Sequence, residues 1–282
     1  MLRMLTPRAG FTLAETLVAL VLTAVIGAAV TGAFISQSQF FDTQEKVSFA
    51  RGVSRGAMNL LISELRMVER TGGIPTATVP TNKRLTVRVP YAMGVVCDNT
   101  IVLTVSRLPA DPYMISSAGF SGYAWRGTGG VYTYVDGGTA PIAGSSLLCN
   151  ASTVTILPAS SGGAVISLSP TAAATIGAPV LLYQTITYEF KASTSVPGRT
   201  ALWRRIHKTG VDEELVAPFD TTAKFRFFVN DAATAQDAAP TPVSDITGIE
   251  LTLDGMSERP NSDGTFRRVP LKTSVFFRNR LD

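Results

Sequence analysis

A chain of 282 residues and 29.9 kDa, 45% hydrophobic, holds enough apolar material for one large or two small folded units, which excludes global disorder. Charged residues make up only 16%, against a usual ~25%, and the mean hydropathy of +0.23 points to one concentrated apolar block rather than the many spans of a polytopic membrane protein. The 25 basic and 21 acidic residues leave a balance of +4, too small to demand a polyanionic partner.

The chain opens MLRMLTPRAG and continues FTLAETLVALVLTAVIGAAVTGAFI, a 25-residue stretch whose single charge is Glu15. From Thr16 to Ile35 lie 20 uncharged, mostly apolar residues. At about 1.5 Å per residue they span a hydrocarbon layer roughly 30 Å thick. Arg3 and Arg8 predict a cytoplasmic start, with everything after the span on the far side of the membrane.

Three readings fit such a start. A secretory signal has a shorter apolar core and a small-residue cleavage site, for which Gly27-Ala28-Ala29 is a candidate, but this run is too long. A plain signal anchor fits the length yet gives no reason for a carboxylate at the head of the span, where an unpaired charge is costly. In the third reading Gly10-Phe11 is a cleavage junction. Glu15 then becomes the fifth residue of the mature chain, close to a new ammonium, and the terminus of a neighbouring subunit neutralises it.

The run Gly10-Phe11-Thr12-Leu13-Ala14-Glu15, with its basic leader and apolar helix, resembles the processing motif of type IV prepilins and their relatives in type II secretion. The resemblance implies that prepilin peptidase cuts after Gly10 on the cytoplasmic side and methylates the amine of Phe11. It also implies that Glu15 steers docking into a growing filament. Two departures stand out: the nearest basic residue is Arg8 rather than one beside Gly10, and no proline kinks the span.

Beyond Ile35 the chain turns polar, and apolar residues recur at Val47, Ala50, Met58, Leu61, Leu65 and Val68, spaced mostly for a helix. Arg51, Arg55, Glu64, Arg66 and Glu69 are expected to face water, and Gly72-Gly73 with Pro75 to stop the helix. One helix from Phe11 to about Arg70 would be about 90 Å long. Its first half needs lipid or the helices of other subunits around it, whereas the second half has one stripe to pack beneath a head domain.

From about Thr76 the pattern becomes β-rich, with strands expected over Leu85 to Val89, Thr100 to Arg107, Val131 to Val135, Val180 to Phe190, Leu202 to Lys208, Lys224 to Asn230, Ile246 to Leu253 and Val269 to Phe277. Alternation in LTVRV, ITYEF and IELTL suits an antiparallel sheet with one wet face and the helix on the other. Asp263-Gly264 marks a turn between the strands holding Glu250 and Val269. Residues 110–179, rich in Gly, Ser, Ala and Thr, with Tyr113, Phe120, Tyr123, Trp125, Tyr132 and Tyr134, read as an insertion of loops and short strands. Cys97 and Cys149, without C-x-x-C spacing, read as one disulfide in an oxidising compartment, the alternative being two buried thiols.

The expected organisation is therefore a leader over 1–10, a transmembrane and assembly half of the helix over 11–35, an amphipathic half over 36–71, and a β-rich periplasmic head over 72–282. The fold class is α+β. YEF, ALWRRI, ELVAPFDTTAKFRFFVND, GIELTLDG and LKTSVFFRN resemble the strand order of W-type minor pilins and the J-type minor pseudopilin.

One histidine and two cysteines are too few for a zinc cage or an iron-sulfur cluster. His207 sits among basic neighbours with no nucleophile motif, and no G-x-S-x-G, P-loop or H-E-x-x-H occurs. Asp212-Glu213-Glu214 lacks EF-hand spacing and reads as a solvated turn. No catalytic residue, metal or cofactor is expected. Two basic groups, Arg204, Arg205 and Lys208, and Arg267, Arg268, Lys272, Arg278 and Arg280, would suit DNA phosphates only if strands brought them together; a solvated sheet face is the simpler reading.

The function these readings imply is a minor type IV pilin, a structural and priming subunit held in the bacterial inner membrane before joining a pilus. A minor pseudopilin of type II secretion and a DNA- or surface-binding tip module are the alternatives. The implied partners are prepilin peptidase, other pilins or pseudopilins through the helix, the inner-membrane assembly platform and membrane lipid.

Overall fold

The computed structural model describes residues 10, 12–107, 119–140, 142–143, 149, 154, 164–230 and 232–277. One helix, α1 (Leu13–Leu65), runs about 80 Å and is followed by strands β1 (Arg84–Asp98), β2 (Leu103–Arg107), β3 (Gly122–Arg126), β4 (Tyr132–Asp136), β5 (Ile142–Ala143), β6 (Ala164–Leu168) and β7 (Pro179–Ala192). Then come β8 (Thr200–Ile206), β9 (Asp212–Phe219), β10 (Lys224–Val229), β11 (Ile246–Thr252), β12 (Gly255–Met256), β13 (Arg268–Val269) and β14 (Lys272–Phe276). The architecture is a long apolar amino-terminal helix packed on antiparallel sheet, the expected α+β arrangement.

The main sheet has the order β13-β12-β9-β8-β7-β1-β2-β6-β5, and the smaller one β10-β11-β14. The long strand β7 is the branch point. Its second half, Ile186 to Ala192, pairs with β8, while Val180 to Tyr183 pair with β3, which carries β4 at its other edge. Strand β1 runs alongside both halves from Arg84↔Glu189 to Val95↔Pro179, with a bulge at Tyr91.

This fork gives two cores. The first lies between the two sheets and α1, where Ala57, Leu61 and Leu65 meet Leu85, Val87, Ile186, Phe225 and Ile249. Phe190 joins its aromatic centre, 5.7 Å from the Phe219 ring and 5.0 Å from Phe225. The second core, built on Val96, Val105, Tyr123, Ile166 and Leu182, takes much of its material from the expected insertion. Phe120 and Tyr123 are thus buried core residues, and β3, β4 and β6 extend the main sheet; Tyr113 lies outside the described residues. Cys97 and Cys149 are joined in a disulfide, their Cα atoms 5.4 Å apart, beside Val165. Closing a loop of this size contributes about 3 to 4 kcal/mol.

Several boundaries differ from those expected. The helix stops at Leu65 rather than near Arg70, because Met67 and Val68 donate to Glu64 and Leu65 in tighter i to i−3 bonds that end the α-helical ladder. Glu69, expected in water, is buried and folds back to accept from the Thr71 amide at 2.8 Å and hydroxyl at 2.7 Å. The buried helix stripe runs through Ala50, Val53, Ser54, Ala57, Leu61 and Leu65, with Val47 only half-covered. Asp212, Glu213 and Glu214 open strand β9 rather than forming a turn. The Asn261–Gly264 turn exists, with Gly264 at φ 78°, but the hairpin around it is β12–β13 in the main sheet, while β11 and β14 pair in the other.

The helix docks through a close approach. Ser54 Oγ accepts from the Gly255 amide at 3.0 Å and donates to Leu253 O at 2.9 Å, and a Cβ at Gly255 would lie 2.2 Å from Ala50 O.

Candidate functional site: the helix start and its uncovered half

Gly10 is exposed two residues before Thr12, the N-cap of α1; Phe11, Arg3 and Arg8 lie outside the described residues. Glu15 occupies the third helical position, so Thr12 and Glu15 make a reciprocal capping box. The Glu15 amide donates to Thr12 Oγ1 at 3.3 Å, and Glu15 Oε2 accepts from the Thr12 amide at 2.9 Å and hydroxyl at 3.0 Å. The carboxylate expected to wait for another subunit therefore has hydrogen-bond donors within its own chain, and no ion pair among the described residues. The T-x-x-E spacing was the available sequence signal.

Beyond this cap the helix is bare. Leu13 is 83% exposed and Leu20 71%, and none of the most apolar 18-residue window is buried. It is the one helix among the described residues long and apolar enough to cross a membrane. The exposed apolar surface continues past Ile35 through Phe40, Phe41 and Phe49 before the helix reaches its first buried residue, Ala50.

A pocket of about 280 Å³ on the outer face of the main sheet gathers Arg84, Thr187, Glu189, Trp203, His207 and Asp212. His207 Nε2 lies 2.7 Å from Thr187 Oγ1, which is itself 2.8 Å from Thr86 Oγ1. Burial first, then the charge of Arg205, holds the imidazole below its ordinary value. Among the described residues no group of His, Cys, Asp and Glu could hold a metal ion. Glu214 instead organises the 193–195 turn, accepting from the Ser193 hydroxyl at 2.6 Å, from the Thr194 amide at 2.7 Å, and from the Ser195 hydroxyl.

Three described members of the two basic groups are engaged separately. Arg204 turns to the helix side and pairs with Glu64 at 3.1 Å, Arg205 lies 3.7 Å from Asp212 on the opposite face, and Arg268 pairs with Asp220 at 2.8 Å. Arg278 and Arg280 lie outside the described residues.

Residues 5–31 match the family model of the prokaryotic N-terminal methylation motif. The amino-terminal segment is thus of the prepilin type, and the long helix on an antiparallel sheet is consistent with a type IV prepilin-like protein. Such proteins are structural, processed by prepilin peptidase and assembled with other pilins. No curated protein and no solved structure matches the chain.

Proposed function

We propose that this chain is a minor type IV pilin, a structural and priming subunit that enters a pilus after prepilin peptidase cuts between Gly10 and Phe11 and methylates Phe11. The observation that carries the reading is the coincidence of the methylation motif with a capped helix whose first half has no cover within its own chain. An apolar surface of that length is stable in lipid or among like helices, so anchoring and assembly are two uses of one surface. Before assembly the helix sits in the inner membrane with Arg3 and Arg8 in the cytoplasm and the disulfide-bonded head in the periplasm.

The large forked head favours a minor subunit over a repeating one, and the same features suit a minor pseudopilin of type II secretion. Among the described residues Arg204, Arg205 and Arg268 pair separately with carboxylates, which weighs against a DNA-binding tip module. Mass spectrometry of the mature chain from its native cell tests the proposal. A start at methylated Phe11 is expected; an intact first ten residues, or a start near Val30, overturns it.

A further inference from the structure

The outer face of the main sheet, turned away from α1, carries side chains that assembly through the helix leaves uncovered. Because Leu85, Ile186, Tyr188 and Leu202 point into the core, pleating sends Arg84, Thr86, Thr187, Glu189, Trp203 and Arg205 to the outside. The register sets them in two rows. Arg84, Glu189 and Trp203 are direct neighbours across β1, β7 and β8, and Thr86, Thr187, Arg205 and Asp212 lie beside them. Neighbours within a row are about 4.8 Å apart and the rows about 7 Å. The pocket of about 280 Å³ opens over both rows. Ligand sites run from roughly 300 to 1,000 Å³, so this one suits a single small ring rather than an extended chain.

Three of the charges here are already paired: Lys191 and Arg205 both point at Asp212, at 2.8 and 3.7 Å. Arg84 and Glu189 differ. They face each other directly across β1 and β7, yet neither side chain makes an ion pair or hydrogen bond among the described residues. An anion drawn to Arg84 meets the Glu189 carboxylate, and a cation drawn to Glu189 meets the Arg84 guanidinium, so neither charged class is favoured. A hydroxyl answers both groups with one oxygen, accepting from the guanidinium and donating to the carboxylate.

Trp203 supplies an apolar wall beside this couple. Its one donor, Nε1, reaches Ala192 O at 3.2 Å, so the indole offers the pocket its carbon surface, and Lys191 Nζ, 4.5 Å from the ring centre, steadies it from one side. The floor is closed by Thr86 and Thr187, whose hydroxyls bond each other at 2.8 Å, while Thr187 also fixes His207 Nε2 on the rim at 2.7 Å. An aromatic wall next to an unpaired donor and acceptor complements a ring that has C–H bonds on its face and hydroxyls at its edge. These supports are held in place before any ligand arrives, which lowers the ordering cost of binding.

We propose that this pocket binds a neutral sugar, the terminal residue of a glycan, with a C–H face against Trp203 and one hydroxyl bridging Arg84 and Glu189. The site lies on the opposite side of the sheet from α1, so subunits packed through their helices display it outward. That display rests on the pilin reading, whereas binding itself uses head residues alone and does not depend on processing at Gly10.

Saturation-transfer NMR at neutral pH tests it on the full-length chain in a detergent without sugar headgroups. The probes are the methyl glycosides of glucose, galactose, mannose and N-acetylglucosamine, whose capped anomeric oxygen mimics a glycan end. Acetate, methylammonium and N-methylacetamide serve as anionic, cationic and amide controls. At least one glycoside is expected to bind with a Kd of about 1 to 10 mM, and each control about tenfold more weakly or not at all. Trp203→Leu and Glu189→Ala should each weaken that glycoside about fivefold or more. A variant that no longer unfolds cooperatively is replaced by Arg84→Met, at an exposed position, under the same criterion. The proposal is overturned if no glycoside binds up to about 50 mM, if a control or only the free reducing sugar binds as tightly, or if the variants bind as the wild type does.

Discussion

Arg88 on β1 and Asp136 at the end of β4 form a two-pronged ion pair, Nε to Oδ1 at 3.0 Å and Nη2 to Oδ2 at 2.5 Å. The guanidinium lies 4.8 Å from the Tyr134 ring centre and 5.6 Å from that of Tyr183, and its Nη1 donates to Gly72 O at 2.6 Å. One side chain thus ties the turn after α1, the central strand and the β3–β4 hairpin together. Its position gives the pair a built-in asymmetry: the Arg88 side chain is 10% exposed, that of Asp136 64%.

Removing the two partners should therefore have unequal effects. Asp136→Ala strands a mostly buried guanidinium and is expected to cost about 2 to 3 kcal/mol, whereas Arg88→Met leaves a carboxylate that water can solvate and should cost about 1 to 2 kcal/mol. Urea denaturation of the full chain in detergent, followed by Trp125 and Trp203 fluorescence, measures both. The double variant should fall short of the sum; strict additivity would show that the pair contributes nothing as a pair.

Gly255→Ala is expected to destabilise the docking of α1 by about 1 to 3 kcal/mol, because the added methyl meets Ala50 O, main chain of a helix that cannot move locally. Ser54→Ala removes an acceptor for the Gly255 amide, which also leans on Leu253 O at 3.1 Å, and so should cost less, about 1 kcal/mol. Urea midpoints of the two variants rank them, and a harmless Gly255→Ala would mean that the helix slides to accommodate it.

Glu214 sets an acid limit on the 193–195 turn. Desolvation pushes its carboxyl up, but donors from Ser193, Ser195 and Thr194 outweigh it and hold the value down at about 2, below the ordinary 4.5. A depressed carboxyl contributes stability that is complete above about pH 4.5 and is lost as the pH falls through about 2. Amide exchange at Thr194 and Ser195 should stay slow down to about pH 4 relative to the intrinsic rate and lose protection below about pH 3. In Glu214→Gln that protection should be weak at every pH; an unchanged profile removes Glu214 as the organiser.

If Glu15 steers docking, as the prepilin resemblance implies, Glu15→Val should leave the proposed cleavage after Gly10 intact while lowering incorporation into filaments several-fold. Thr12→Val removes only the hydroxyl of the cap and separates capping from docking. If subunit counts in sheared filaments fall equally for both, helix capping rather than charge is the determinant; undiminished counts for Glu15→Val would refute a docking role.

The amino-terminal segment was legible in the residues themselves. Gly10, Phe11 and Glu15 form a local pattern, and the 20 uncharged residues after Glu15 declare a membrane-length helix because composition and a 1.5 Å rise are properties of consecutive residues. Most of the long strands were legible for the same reason: alternation in LTVRV or IELTL is a local signal. The fork at β7, the burial of Glu69, the Arg88–Asp136 pair and the pocket between Arg84 and Trp203 were not, since each depends on residues far apart in the chain arriving at one place. Arg204 shows the difference well. Beside Arg205 in sequence it reads as part of a basic cluster, but strand pleating sends neighbours to opposite faces, and only the packing of α1 on the sheet decided that Arg204 would meet Glu64 while Arg205 remained in water.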